Sequence, residues 1–228
     1  MNSHYCLLDA NSSESKYWDY QSKIKQSEAK LGSSLGSHGA LYIIRRELYS
    51  PLPADTINDD FILPMNIVAK GYRADVDTNI RAVELEASSN EQDFRRRLRI
   101  GAGNYQQLTR LLGLLAPTRG GVAFTFASGK GLRVLMPFLM IIAAIGSIAL
   151  ATSHWFFACA AVVQVTIYVG ILACHVFGYE PESGIIKTIR YLVAGHTANF
   201  IGTLRYIVGL EKGHWSRVSN ISSTSRKE

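Results

Sequence analysis

Two adjacent carboxylates, Asp59 and Asp60, stand directly before the apolar run 61–68. A carboxylate in a protected position can accept the proton of a reacting hydroxyl, which is general-base chemistry. Acidic residues are also favoured in the first turn of a helix, where exposed N–H groups and the helix dipole stabilise negative charge. The pair therefore predicts a helix that begins near Asp59 or Asp60. It leaves both a catalytic and a helix-capping interpretation open.

A second cluster consists of four arginines within five positions: Arg95, Arg96, Arg97 and Arg99. The planar guanidinium pairs bidentately with phosphate oxygens, so arginine suits phosphate-containing ligands. Four side chains this close together cannot share one helical face. Some of them must therefore point toward the domain or toward a ligand. A patch that faces anionic lipid headgroups is the alternative interpretation.

Metal chemistry has weaker support in the sequence. Asp75 and Asp77 are separated by one residue, a spacing that can hold a divalent cation through carboxylate oxygens, but such pairs are common by chance. The three cysteines, Cys6, Cys159 and Cys174, form neither a disulfide framework nor a metal-ligand spacing. We therefore expect no metal site built from the chain's own residues.

Composition limits the partners. The chain has 228 residues and a formal net charge of +6, which suits anionic lipid headgroups or phosphorylated substrates. Nucleic acid is not an expected partner, because no recognition motif accompanies the charge. The polar segment 1–15 predicts no cleavable signal peptide.

One long stretch, residues 134–179, contains no Asp, Glu, Lys or Arg. A membrane helix needs about 20 apolar residues, so we predict a transmembrane hairpin with helices over 132–152 and 155–177. Two buried core helices of a soluble protein are the alternative. Arg119, Lys130 and Arg133 precede the hairpin, whereas the loop within it has no Lys or Arg. The positive-inside rule then predicts a multi-pass protein of the inner membrane with its soluble domain in the cytoplasm.

Other segments would position the charged clusters. Apolar spacing predicts a helix over 14–31, and the glycine-rich segment 32–39 is either a surface loop or a close backbone approach. Strands are predicted over 40–44, 72–76 and 82–86. Overlapping capping boxes at 88–92 start a helix whose apolar face, near 103–116, is expected to lie on the bilayer surface.

A last amphipathic helix is predicted over 185–210. Small residues recur on it every seven positions, at Gly195, Gly202 and Gly209, which lets another helix come close. The helix is long enough to span the bilayer, but spanning would carry the basic tail outside. We therefore expect an interfacial or re-entrant placement. The tail 213–228 has a composition typical of disorder.

Together these segments resemble the C-terminal half of a membrane-bound family 2 glycosyltransferase of the processive, polysaccharide-forming type. The resemblance covers roughly residues 15–215. The motifs that carry it are, in chain order, Tyr17-Trp18, Gly36-Ser37-His38-Gly39-Ala40-Leu41-Tyr42, Asn58-Asp59-Asp60, Gly71-Tyr72-Arg73 and Arg96-Arg97-Leu98-Arg99-Ile100 with Gly103.

The resemblance implies an α+β membrane protein. A partial GT-A-like cytoplasmic domain would occupy residues 1–125, followed by the transmembrane hairpin at 132–177 and the amphipathic helix at 185–210. The implied function is transfer of a sugar from a nucleotide-sugar to a glycan or lipid-linked acceptor, in polysaccharide or glycolipid biosynthesis. Asp60 would be the catalytic base, with Asp59 as its neighbour, and the reaction would invert the anomeric centre.

The resemblance also implies the residues that bind substrate. Arg99 would help to hold the nucleotide diphosphate, with Arg96 standing where the family has Gln and Ile100 where it has Trp. Gly36, His38 and Gly39 would form the substrate-binding loop.

One part of the family pattern has no counterpart here. The family's nucleotide-binding segment precedes these motifs and carries a metal-binding Asp-x-Asp, whereas Asp75-Val76-Asp77 follows the base motif. The divalent cation that the family implies, Mg²⁺ or Mn²⁺, therefore lacks its usual ligands in this chain. A truncated gene product, one half of a split enzyme and a mis-called start are the open explanations, and we expect catalysis only together with the missing N-terminal half. A non-catalytic, membrane-anchored subunit or degenerate fragment that binds a partner is the alternative.

Overall fold

The computed structural model describes residues 2–7, 12–37, 39, 41–84, 90–179 and 184–211. These residues are mainly helical. The helices are α1 (Ser12–Lys30), α2 (Asp59–Ala69), α3 (Asn90–Arg110), α4 (Gly121–Phe126), α5 (Leu132–Ala149), α6 (Trp155–Val176) and α7 (Gly184–Ile207). The predicted helix over 14–31, the helix start at Asp59 and the helical hairpin are confirmed. The tail 213–228 lies outside the described residues.

The sheet is smaller than the sequence predicted. Strand β1 (Asn2–Leu7) pairs in parallel with β2 (Val76–Glu84), and the described residues contain no other sheet. The strand predicted over 40–44 is wrong for residues 41–44, which form only an isolated bridge at Tyr42. Leu41 and Ile43 are exposed there, whereas a buried strand would cover their side chains. Of the strand predicted over 82–86, residues 82–84 lie in β2 and the last two lie outside the described residues, whereas of the strand predicted over 72–76 only Val76 lies in β2. The GT-A-like domain remains a prediction.

A compact apolar cluster joins α2 to the end of α3 and to α4. Its buried members are Leu35, Phe61, Met65, Val68, Leu111, Leu114 and Phe126. The apolar face predicted over 103–116 was expected to lie on the bilayer surface. Instead α3 ends at Arg110, and Leu111 and Leu114, which follow it, are buried in this cluster. A helical apolar face indicates that something covers it, but the pattern does not say whether protein or lipid does so.

Two helical segments, Gly121–Ala149 and Trp155–Val176, are long and apolar enough to cross a membrane. A π-helical segment, Ala127–Gly131, joins α4 to α5 within the first of them. Many apolar side chains of α5 and α6 are exposed, among them Ile142, Ile145, Val162 and Val169. The core-helix interpretation is therefore not supported, because a core helix would bury these side chains.

A proline in α5 ties this helix to α7. Pro137 has no N–H, so the carbonyl of Arg133, four residues earlier, loses its helical hydrogen bond. The side-chain amide of Asn199 in α7 donates to that carbonyl at 2.8 Å. The amide of Asn104 in α3 donates in turn to the Asn199 side-chain oxygen at 3.2 Å. One buried asparagine thus joins three helices.

Helices α3 and α7 lie side by side at very close range. A Cβ on Gly202 would overlap the carbonyl oxygen of Leu98 and lie 2.8 Å from the nitrogen of Ala102. A Cβ on Gly101 would lie 2.7 Å from the Cα of Asn199. The predicted close approach is thus confirmed at Gly202, and the partner helix is α3.

The other two glycines of the predicted strip do not take part in this contact. A Cβ on Gly195 would meet nothing within 4 Å, and Gly209 lies beyond the end of α7 at φ +74° with open space around it. The seven-residue repeat therefore overstated the length of the glycine contact.

Replacement of Gly202 by Ala should destabilise the protein by about 1–3 kcal/mol, because the added methyl meets backbone atoms that cannot rotate away. Gly195→Ala is the matched control on the same helix. It should stabilise by roughly 0.5–1 kcal/mol, since Ala costs less conformational entropy in a helix interior. Thermal unfolding of the purified protein in detergent, followed by circular dichroism, measures both changes. Equal effects of the two variants would contradict the close packing of α3 on α7.

Candidate active site

A cleft of about 1070 Å³ lies between α1, the segment that leads into α2, α3 and the start of α5. Asp59, Asp60, Arg96, Arg99 and Gly39 all line this cleft. The structure therefore brings together the predicted acidic pair and two of the four predicted arginines. Their residue numbers differ by more than thirty, so the meeting is a property of the fold.

A proline also leaves the backbone carbonyl of Asp60 without its helical hydrogen bond, as Pro137 does for Arg133 in α5. Pro64 lies four residues after Asp60 within α2 and cannot donate to the Asp60 carbonyl. Ser37 supplies both replacement donors, its N–H at 2.9 Å and its hydroxyl at 2.6 Å. This contact anchors the glycine segment directly on the acidic residue.

The glycine segment is a close backbone approach rather than a surface loop. Gly36 is buried with φ +66°, and a Cβ there would overlap the ring of Phe61. A Cβ on Gly39 would lie 3.3 Å from Oδ2 of Asp60. Gly39 thus borders the carboxylate, whereas Gly36 packs behind α2 and does not line the cleft. His38 lies outside the described residues.

Helix α3 fixes the segment that precedes the acidic pair. The Gln106 side-chain oxygen accepts from the N–H of Ile57 at 2.9 Å, and its amide donates to the carbonyl of Asp55 at 2.8 Å. Arg110 donates to the Asp55 carboxylate at 2.6 Å. Gly103 leaves room for the side chain of Asn58, which would overlap a Cβ at that position. The start of α2 is therefore positioned by α3.

Three cations in the cleft were not predicted as site residues: Lys25, Lys130 and Arg133. Lys25 donates to the carbonyl of Leu35 at 2.7 Å. The ammonium of Lys130 lies 4.2 Å from the centre of the Phe61 ring, a cation–π contact. Lys130 belongs to the π-helical segment, and such insertions in helices are frequent at functional sites. The sequence carries no clear signal for that insertion.

The charges in the cleft act on one another. Burial raises the pKa of Asp60, the neighbouring Asp59 raises it further, and Lys130 and Lys25 oppose both effects. Burial lowers the pKa of Lys25. Burial also raises the pKa of the Tyr42 hydroxyl, as do the two aspartates. The carboxylate of Asp60 is therefore more basic than an ordinary aspartate.

The four arginines separate as the helical geometry requires. Arg96 and Arg99 line the cleft, while Arg97 stacks its guanidinium 4.4 Å from the centre of the Tyr191 ring on α7. Arg95 is exposed and does not line the cleft. The expectation that some of the cluster points inward is confirmed, and Arg95 remains available for a headgroup-facing role.

The second aspartate pair lies elsewhere. Asp75 accepts from the N–H of Val76 at 2.9 Å and lies 3.6 Å from Arg73, with its side chain largely exposed. Neither Asp75 nor Asp77 lines the cleft. Among the residues that the structure describes, no group of three His, Cys, Asp or Glu side chains is arranged to hold a metal ion.

Comparison of the chain with protein-family models, with curated proteins and with solved structures finds no match. The functional argument therefore depends on the geometry of the cleft and on the motifs in the sequence.

Replacement of Asp60 by Asn should stabilise the fold near neutral pH. A carboxyl whose pKa is raised on folding contributes stability below its unfolded pKa, about 3.9, and loses that contribution as the pH rises through the folded pKa. Asn carries no charge at any pH, so the gain should be present at pH 7 and should vanish below pH ~4.

Thermal unfolding at pH 7 and at pH 3.5 measures this difference, with Asp75→Asn as an exposed control. A gain that persists unchanged at the lower pH would show that the Asp60 carboxylate is not the cause.

Proposed function

We propose that the chain is the acceptor-side, base-carrying part of a membrane-bound family 2 glycosyltransferase. It would act with a nucleotide-binding half on a nucleotide-sugar and on a glycan or lipid-linked acceptor. The observation that carries this proposal is the cleft itself, which combines a carboxylate of raised pKa with five cationic side chains beside a helix able to enter a membrane.

The charge balance of the cleft fits a nucleotide diphosphate. Its lining cations are Lys25, Arg96, Arg99, Lys130 and Arg133, and its lining carboxylates are Asp59 and Asp60. Guanidinium and ammonium groups together stabilise a diphosphate both in the substrate and as a leaving group. A volume of about 1070 Å³ lies at the upper end of the range for small-molecule sites.

Asp60 would take the proton of the acceptor hydroxyl as that oxygen attacks the anomeric carbon of the sugar. The raised pKa suits this role, because a stronger base is a better proton acceptor provided that it is ionised at the working pH. Asp59 contributes by raising the pKa of Asp60. Attack from the side opposite the diphosphate would invert the anomeric centre.

The described residues of the cleft do not fit a divalent cation. The acidic pair is accompanied by Lys25 and Lys130, and both oppose its negative charge. No third carboxylate, His or Cys lines the cleft among the described residues. No step proposed here therefore passes through a metal, and a family metal would be held by the nucleotide-binding half.

The two apolar helices support a location in the inner membrane, with the cleft on the cytoplasmic side. Arg119 and Lys130 precede α5 and Arg133 lies in its first turn, whereas the connection between α5 and α6 carries no Lys or Arg. Nucleotide-sugars are made in the cytoplasm, so this orientation would give the cleft access to them. Helix α7 packs along α3, which favours an interfacial rather than a spanning placement.

Binding of UDP tests the role of the arginines. Arg99→Lys should weaken UDP binding by about tenfold or more, because a hydrogen bond to a charged group contributes about 1.5–3 kcal/mol and Lys cannot form the bidentate pair. Arg95→Lys, on the same helix but outside the cleft, should leave the affinity unchanged. Isothermal titration calorimetry in detergent measures both affinities, on the chain purified from the source cells together with its nucleotide-binding partner. Equal affinities of wild type and Arg99→Lys would assign Arg99 to a headgroup patch.

Transfer tests the role of Asp60. The gene is replaced in the source cells by an Asp60→Asn variant, so that any partner chain is retained, and isolated membranes receive a panel of radiolabelled nucleotide-sugars. Loss of the general base should lower incorporation by roughly 10²–10⁴-fold, while Asp75→Asn changes it little. Comparable losses in the two variants would refute the assignment of the base. UDP binding without transfer in the wild type would favour the non-catalytic subunit.

A further inference from the structure

A second cavity, of about 340 Å³, lies between α5, α6 and α7. Helix α5 contributes one face to it, at Pro137, Ile141, Ala144 and Ile148. Helix α7 contributes Val193, His196, Thr197 and Phe200, which also share one face. We call this cavity the α5–α7 groove. Most of its lining is hydrocarbon, and it lies beside the most apolar helices of the described chain.

The α5–α7 groove and the charged cleft lie next to each other along α5. Arg133 lines the cleft, and Pro137, one helical turn further along, lines the groove. Four residues of helix span about 6 Å. Burial lowers the pKa of His196 and the Arg133 charge lowers it further. That effect of Arg133 on a groove residue is a second sign that the two cavities adjoin.

The contact that holds the groove open is built from the same residues. Asn199 of α7 binds the Arg133 carbonyl that Pro137 leaves without a helical partner. The ring of Phe200 packs edge-to-face on Phe138 at 5.1 Å between centroids. These contacts fix α7 against the start of α5. The walls of the groove are thus held in place at the end that lies nearest the cleft.

An amphipathic ligand matches this arrangement. Its hydrocarbon chain would lie in an apolar groove, and its anionic head would lie against Arg133 and Lys130 in the cleft. A protein segment would not explain the cations at one end, and a free phosphate would not explain the apolar walls.

We propose that the α5–α7 groove binds the hydrocarbon chain of a lipid phosphate whose phosphate group lies in the cleft beside Arg133 and Lys130. This inference rests on the proposed function and narrows it, because it makes the acceptor a sugar linked to a lipid through phosphate. Arg133 and Lys130 would hold this phosphate at the base of α5, which leaves Lys25, Arg96 and Arg99 for the diphosphate of the donor. The attached sugar would extend toward Asp60.

Binding of farnesyl phosphate to the purified full chain in dodecyl maltoside micelles tests the proposal by native mass spectrometry. Farnesol and inorganic phosphate serve as the chain-only and head-only probes. We expect farnesyl phosphate to bind at least tenfold more tightly than either. If farnesol binds equally well, the groove takes bulk hydrocarbon, and if inorganic phosphate binds equally well, the cleft takes phosphate alone. Either result overturns the proposal.

Two variants fill the groove from opposite walls: Ala144→Phe on α5 and Thr197→Phe on α7. Ala143→Phe is the matched control, because Ala143 is the exposed neighbour of Ala144 and does not line the groove. Circular dichroism confirms folding before binding is measured. Each filling variant that folds should weaken farnesyl phosphate binding at least tenfold, while the control leaves it unchanged. Equal binding by a folded filling variant and the control would refute the proposal.

UDP binding in the same samples separates this proposal from the proposed function. The filling variants should bind UDP as the wild type does, because neither Ala144 nor Thr197 lines the cleft. Loss of farnesyl phosphate binding with UDP binding intact supports the groove. A wild type that binds farnesyl phosphate but does not bind UDP, even when its nucleotide-binding partner is present, would refute the nucleotide role of the cleft while the lipid site stands.

Discussion

Two carbonyl groups that prolines leave without a helical partner organise this structure. Pro64 frees the carbonyl of Asp60 in α2, and Pro137 frees that of Arg133 in α5. A buried carbonyl without a donor costs about 1–3 kcal/mol, so each one selects a donor from elsewhere in the chain. Ser37 and Asn199 are those donors. Each proline therefore creates a specific long-range contact where an ordinary helix would have made only a local one.

The contact at the Arg133 carbonyl links the apolar helix α5 to the acidic pair through a series of hydrogen bonds. From the Arg133 carbonyl the connection runs through Asn199 to Asn104 on α3. Two residues further along α3, Gln106 holds the backbone just before α2, at Asp55 and Ile57. Each step is a buried or half-buried hydrogen bond between side chain and backbone or between two side chains. The position of the carboxylates thus depends on how α5 and α7 pack against α3.

Local sequence patterns predicted the helices and the charged clusters, because periodicity, capping residues and hydropathy are local properties. These patterns failed where the structure depends on what packs against an apolar face of a helix or strand. The run around Leu41 and Ile43 has the pattern of a buried strand, but both side chains are exposed, and Leu111, expected at the bilayer surface, is buried in the protein core. Lys130 was missed because its direction depends on a π-helical insertion that the sequence does not reveal. The sequence shows both prolines, but it does not show which side chains donate to the carbonyls that they leave without a helical partner.

The balance of charge around Asp60 bears on the base role proposed for it. Burial and Asp59 raise the pKa of Asp60, while Lys130 and Lys25 oppose that rise. A bound diphosphate would neutralise part of the field of those same cations, so the pKa of Asp60 would rise further when the donor is present. The base would then gain proton affinity in the loaded cleft and stay a weaker base in the empty one. Under the proposed function, the two lysines near Asp60 would therefore couple phosphate binding to the strength of the base.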